Sequence, residues 1–164
     1  MFSIFKNINR FAGRYKAVDV FAIFGARYLM FLILAFIFAY SLALGNFGIF
    51  ILALSSAVFA TFGINGLIQY FYREKRPAAL KSAKVIIPIP KNPSFPSNHS
   101  AFSFAMAFSM IFFDASVFWA LFFCAFVVGI CRVFCGVHWA RDIAGGAFSG
   151  FISALLIYYI ALYI

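Results

Sequence analysis

The chain carries two histidines, His99 and His138, and the polar residues around them decide what chemistry is open to it. Asp142 follows His138 by four residues, which on a helix puts carboxylate and imidazole on one face. A carboxylate so placed can bond one ring nitrogen and fix the tautomer. The other nitrogen is then free to act as nucleophile or base. Arg76 and Arg132 can each clamp phosphate oxygens through two donors. Ser97, Asn98 and His99 follow Pro96 and open a helix, and a helix start with a hydroxyl cap suits an anion. Two arginines, a helix start and an oriented histidine fit transfer of a phosphoryl group, where catalysis is mainly positioning and charge stabilisation. Each feature also has a plainer reading. A histidine at a helix start can be a cap, a basic loop can serve topology, and the His138–Asp142 pair can be a local hydrogen bond.

The elements that must position these residues are membrane helices. Of the 164 residues, 66% are hydrophobic and 10% are charged, and the mean hydropathy is +1.03. Soluble domains run at about 45–50% apolar and about 25% charged. A water-soluble globule, disorder, a disulfide scaffold and a coiled coil are excluded. An all-α integral membrane bundle remains. A span needs about 20 apolar residues, so residues 1–164 hold one domain with no separate soluble part. Five spans are expected, at 17–44, 47–72, 98–113, 117–134 and 141–164. Arg27 interrupts the first. It is either a functional group within the membrane or a snorkelling residue, with the true span at 28–44. Asn65 and Gln69 share one face of the second span. Gly146-xxx-Gly150 in the fifth permits close helix packing.

Two segments stand apart from the spans. In residues 1–16, Met1, Ile4, Phe5, Ile8, Phe11 and Ala12 recur at helical spacing, predicting an amphipathic helix in the interface plane. Residues 73–97 hold all five prolines, with Arg73, Lys75, Arg76, Lys81, Lys84 and Lys91. This is an extended loop, and a loop of this length in a compact chain is functional or disordered. The net charge of +9 lies mostly on connecting segments. Membrane lipids and phosphate esters are therefore the expected partners, rather than nucleic acid. Cys124, Cys131 and Cys135 lack zinc spacing and read as small core residues.

Five spans place the N-terminal segment, the 73–97 loop and the 135–141 turn on one face of the membrane. His99, His138, Arg76, Arg132, Arg141 and Asp142 all fall at that end. Convergence of residues so distant in sequence favours a site. A transporter or structural subunit is the alternative from another class, with Arg27, Asn65 and Gln69 lining a path and His138 and Asp142 relaying protons.

Arg76-Pro77, then Pro96-Ser97-Asn98-His99, then Arg132-x5-His138-x3-Asp142 resemble the three motifs of the type 2 phosphatidic acid phosphatase superfamily, written KxxxxxxRP, PSGH and SRxxxxxHxxxD. The resemblance implies that His138 attacks phosphorus to form a phosphohistidine and that Asp142 orients it. His99 would protonate the leaving oxygen and later activate water. Arg76, Ser97 and Arg132 would hold the phosphate, with no cofactor and no metal. Two positions depart from the pattern. The first motif's lysine falls on Gln69, which can still donate a hydrogen bond, and Lys75 or Arg73 stands near to supply the missing charge. The third motif's serine is Cys131, a weaker donor. Within the superfamily, the small size and the stretch Asn92-Pro-Ser-Phe-Pro-Ser-Asn-His99 look most like the bacitracin-resistance type of undecaprenyl pyrophosphate phosphatase. The implied substrate is a polyprenyl pyrophosphate, with phosphatidate, phosphatidylglycerophosphate or lipid A as alternatives. The positive-inside rule would put the site in the cytoplasm, whereas the resemblance implies the extracytoplasmic face of the cell membrane.

Overall fold

A computed structural model describes residues 2–163; Met1 and Ile164, expected in the interfacial helix and the last span, lie outside it. The expected first span divides into α2 (Lys16–Arg27) and α3 (Leu29–Ala43), bent by 53° at Tyr28. Arg27 is thus the last residue of α2, at the bend. Gly45, with φ of 64°, makes the turn into α4 (Phe47–Val58). A π-helical turn, Phe59–Ile64, joins α4 to α5 (Asn65–Phe71) in one 25-residue rod. A π-helical turn shifts the register of the helix beyond it, and here Asn65 and Gln69 are both buried.

The third expected span is shorter than the others. Helix α6 (Asn98–Ser109) is followed by a 3-10 turn, Met110–Phe112, and α7 (Ala115–Phe134) and α8 (Ala140–Leu162) complete the chain. Four of the five expected spans are long and apolar enough to cross a membrane, counting α2 and α3 as one. Helix α6 is not, and packing explains why. It is sheathed by α4, α7 and α8, so it can carry the small polar residues Ser100, Ser103 and Ser109 in buried positions. A Cβ at Gly146 would lie 2.6 Å from the Ser97 carbonyl oxygen, and one at Gly150 would lie 2.7 Å from Ala105 N. These two glycines press the start of α8 against the start of α6. Around this axis Ile33, Ile37, Ile49, Met106, Met110 and Val128 form the core. Phe31, Phe36, Phe62, Trp119, Phe123 and Phe148 point outward, as lipid-facing side chains do.

The N-terminal amphipathic segment is folded onto the bundle. Helix α1 (Phe2–Asn9) buries Phe5 against Trp139, with ring centroids 5.1 Å apart. Asn9 acts as a clamp: its Nδ2 donates to the carbonyls of Lys84 (2.7 Å) and Phe134 (2.8 Å), and its Oδ1 accepts from Lys84 N (2.9 Å). One side chain thereby ties α1, the proline-rich loop and the end of α7 together. Gly136, with φ of 80°, lets the chain turn beside the Lys84 carbonyl, which a Cβ there would approach to 2.4 Å.

Candidate active site

Three helix ends and one loop meet at the active end. Helix α7 brings Arg132 in its last turn, α6 begins with Asn98 and His99, and α8 begins just after His138. The Ser97 amide donates to the Asp142 carbonyl (3.0 Å), which fixes the two helix starts to each other. The 72–97 loop has only one short 3-10 turn, Pro77–Ala79, and crosses over this junction.

His138 and Asp142 are almost wholly buried. Asp142 Oδ2 accepts from His138 Nδ1 (3.2 Å), from the Trp139 amide (2.8 Å) and from the Ser94 hydroxyl (2.5 Å). Arg76 Nη1 lies 3.0 Å from His138 Nε2. A guanidinium can only donate, so Nε2 must be the accepting nitrogen and Nδ1 carries the proton that Asp142 takes. This is the tautomer with its lone pair aimed away from Asp142. Burial pushes the His138 pKa down to about 4, with the Asp142 bond opposing. The imidazole is therefore neutral at ordinary pH, as a nucleophile must be.

Arg76 is held on nearly every side. Its Nε donates to Asn92 O (3.1 Å), Nη2 to Asn92 Oδ1 (3.1 Å) and Pro93 O (3.0 Å), and Nη1 to Val137 O (2.8 Å) as well as to His138. Burial lowers its pKa to about 10, so it stays charged. Arg132 differs. It is 3% exposed, yet its only hydrogen bond among the described residues runs from Nη1 to Ala26 O (3.2 Å). Its Nε and Nη2 reach no acceptor among the described residues. A buried cation with idle donors is costly unless an anion meets it. His99, half-buried, lines a cavity of about 200 Å³ with Arg132, Arg27, Ile87, Pro88 and Pro90. Ser97 caps α6, accepting from Ser100 N (3.4 Å) and Ser100 Oγ (3.1 Å), and keeps its own hydroxyl hydrogen to give.

The remaining expected residues have other contacts, and Gln69 and Arg73 line an outer cleft with Arg76. Gln69 gives both amide hydrogens to protein, to Pro96 O (2.9 Å) and Asn98 Oδ1 (3.0 Å), and its Oε1 accepts from Asn92 Nδ2 (3.2 Å). It braces the loop and has no donor left for phosphate. Lys75 is exposed and lines neither cavity near the site; its carbonyl accepts from Trp139 Nε1 (3.0 Å). Arg73 and Lys91 instead line that outer cleft of about 440 Å³, which reaches Arg76. Arg141 pairs with Glu74, which also accepts from the Tyr72 hydroxyl. Cys131 points away from the site, toward α2, where a Cβ at Gly25 would meet its sulfur at 2.6 Å. The sequence reading gave no role to Asn92 or Ser94, which hold Arg76 and Asp142. Both lie in the 92–99 stretch, and small polar residues between prolines were the available signal.

The PAP2 superfamily model matches residues 34–164, which include Arg76, Ser97, His99, Arg132, His138 and Asp142. The chain belongs to the PAP2 superfamily. As a PAP2 protein it has curated relatives in Bacillus. It is 28% identical over 159 residues to "Bacitracin transport permease protein BcrC" of Bacillus licheniformis, covering 96% of this chain and 78% of that protein. It is 32% identical over 82 residues to "Undecaprenyl-diphosphatase BcrC" of Bacillus subtilis (strain 168), covering 50% of this chain and 42% of that protein. Among solved structures it resembles LpxE of Aquifex aeolicus, with a TM-score of 0.75 and 25% identity over 96% of this chain and 94% of that one. A transmembrane PAP2-type phosphatidylglycerolphosphate phosphatase from Bacillus subtilis shares the fold, with a TM-score of 0.65 and 21% identity over 99% of this chain and 86% of that one. This PAP2 protein is a multi-pass membrane protein of a lipid phosphatase family.

Proposed function

We propose that this chain removes the terminal phosphate of a polyprenyl pyrophosphate, without metal, through a phosphohistidine. The observation that carries the reading is a neutral, buried His138 at the same helix junction as a buried Arg132 whose Nε and Nη2 have no acceptor among the described residues. His138 Nε2 attacks the terminal phosphorus and the bond from phosphorus to the bridging oxygen breaks. The bridging electron pair leaves on the lipid monophosphate, and His99, which takes up a proton as the anionic substrate binds, supplies that proton to it. Water then attacks the phosphohistidine, giving its proton to His99 and releasing orthophosphate and free His138. One water is consumed per pyrophosphate. Arg132 and Arg76 offset the charge that builds on the transferring oxygens, and Ser97 donates its hydroxyl hydrogen to one of them.

The substrate class rests on two supports. The names of the Bacillus relatives concern bacitracin and undecaprenyl diphosphate. The bundle also carries a lateral groove of about 500 Å³ between α6, α7 and α8, lined almost entirely by phenylalanine and alanine. It begins at Ala140, two residues after His138, and runs down to Phe151, about 16 Å along α8 at 1.5 Å per residue. An isoprenoid tail fits such a path. We also infer that the active end faces outside the cytoplasm. Three of the six loop cations that would argue for the opposite belong to the active end: Arg76 is buried in it, and Arg73 and Lys91 line its outer cleft.

The test is phosphate release by the purified chain in detergent with excess chelator, on undecaprenyl pyrophosphate, phosphatidate and phosphatidylglycerophosphate. Release should be fastest from the pyrophosphate and should vanish in His138→Ala while that variant keeps its helical circular-dichroism spectrum. Activity surviving in that variant would overturn the mechanism. Faster release from a glycerolipid would overturn the substrate.

A further inference from the structure

The geometry points to Arg27 as the residue that receives the second phosphate of the substrate, the one that departs with the lipid. This rests on the pyrophosphate reading above. Arg27 ends α2 at the 53° bend, and the carbonyl just before it, that of Ala26, is the sole protein acceptor for Arg132 among the described residues. The same cavity of about 200 Å³ is lined by Arg27, Arg132 and His99. Arg27 has no ion pair or side-chain hydrogen bond among the described residues; its guanidinium rests beside the Tyr28 ring, 5.5 Å from the centroid. Its donors are free to turn into the cavity.

Arg132 stands in the last turn of α7, six residues before His138, the residue that attacks phosphorus. Arg27 lines the same cavity together with His99, the acid that meets the departing oxygen. In a pyrophosphate that oxygen belongs to a second phosphate, whose charge grows as the bond breaks, and a guanidinium beside it favours departure. In a lipid monophosphate the departing group is an alkoxide with no phosphate for Arg27 to hold. Arg27 therefore sets a preference for pyrophosphates over monophosphates. The position where the family motif has lysine is occupied by Gln69, whose donors are committed to the protein, so a second source of positive charge is needed, and Arg27 supplies it from another helix.

Farnesyl diphosphate and farnesyl monophosphate share one tail and differ only in the second phosphate. For Arg27→Ala and Arg27→Gln, the ratio of kcat/KM on the diphosphate to that on the monophosphate should fall about 10- to 100-fold, the usual worth of one charged contact. Arg27→Lys should recover part of the loss. A companion measurement needs no diphosphate turnover: inhibition by a non-hydrolysable farnesyl methylenebisphosphonate, read on whichever lipid the wild-type chain hydrolyses. Its Ki should rise about tenfold or more in Arg27→Gln, with a far smaller change for orthovanadate, which probes the attacked phosphate alone. An unchanged ratio and unchanged Ki would leave Arg27 as a snorkelling residue and overturn the inference. If the wild-type chain hydrolyses only monophosphates, the substrate proposal falls, and the bisphosphonate Ki still decides Arg27.

Discussion

Arg76 reaches the active end on a proline-rich loop and Arg132 on the last turn of a helix, and the two guanidinium groups are used in different ways. Arg76 commits its donors to Asn92, Pro93, Val137 and His138. Arg132 commits one, to Ala26. The cause lies in the backbone each stands on. A helix end is already rigid, so a side chain there can wait with idle donors. The 72–97 loop has almost no regular backbone hydrogen bonding of its own, so a side chain must hold its shape, and the Arg76 fork is the hub of that bonding. The loop arginine ties the site together, and the helix arginine keeps donors in reserve. In the mechanism proposed above both meet the phosphate, but only one is also a structural tie.

The sharpest way to break this contrast is a pair of alanine variants. Arg76→Ala should have the largest effect of any change considered. It strips Asn92 and Pro93 of their donor and frees the lone pair of His138, so activity should fall by at least about 10³-fold. Stability should fall too, by about 3 kcal/mol or more, as for removal of one member of a buried charged network. Arg132→Ala should lose about 10²- to 10³-fold in kcat yet melt at an unchanged or higher temperature, because it removes a buried charge that the protein barely pairs. Thermal melts in detergent beside phosphate-release kinetics would check both. A folded Arg76→Ala beside an unfolded Arg132→Ala would reverse the assignment.

The helix ends and the loop were not equally legible in the sequence. The spans, the glycine pair on α8 and the convergence of His99, Arg132, His138 and Asp142 come from hydropathy runs and four-residue spacing, which are local. Loop contacts are not local. Asn92 reaches Gln69 and Arg76, and Ser94 reaches Asp142 across 48 residues, and no periodicity marks such pairs. The same blindness put Gln69 and Lys75 among the phosphate ligands. Spacing gives a residue's place along the chain, whereas the direction of its side chain depends here on a π-helical turn and an irregular loop. The short central α6 and the bend at Tyr28 were also hidden, because both answer to packing between helices rather than to the apolar run that each belongs to.

Gln69→Lys sharpens the contrast from the side of the sequence, since it restores the lysine of the family motif. If that position served the phosphate, the variant should gain activity. The structure gives the opposite expectation. Lysine has no acceptor, so Asn92 loses its partner on Gln69 Oε1, and the added charge stands among buried polar groups near Arg76. Activity should fall severalfold and stability by about 1–3 kcal/mol, with the loss in kcat exceeding any change in KM. A rise in kcat/KM would show that phosphate comes within reach of this position after all.

The smallest effect concerns protons. His138 is buried neutral, with its pKa pushed by desolvation from 6.5 to about 4. Between those values the unfolded chain takes up a proton there and the folded chain does not. Acidification over that window therefore favours the unfolded state: the stability is present in full above about 6.5 and is lost progressively as pH falls toward 4. His138→Gln cannot bind that proton. The wild-type melting temperature should drop more than that of His138→Gln between pH 7 and pH 5 in the same detergent. The difference reports residue 138 together with Asp142, which bonds it directly, because the other carboxylates meet the same surroundings in both proteins. Parallel curves would mean that His138 carries its charge in the folded state. It would then donate from both ring nitrogens, the contact between Arg76 and Nε2 would become a repulsion, and the nucleophile would need to lose a proton before it could attack.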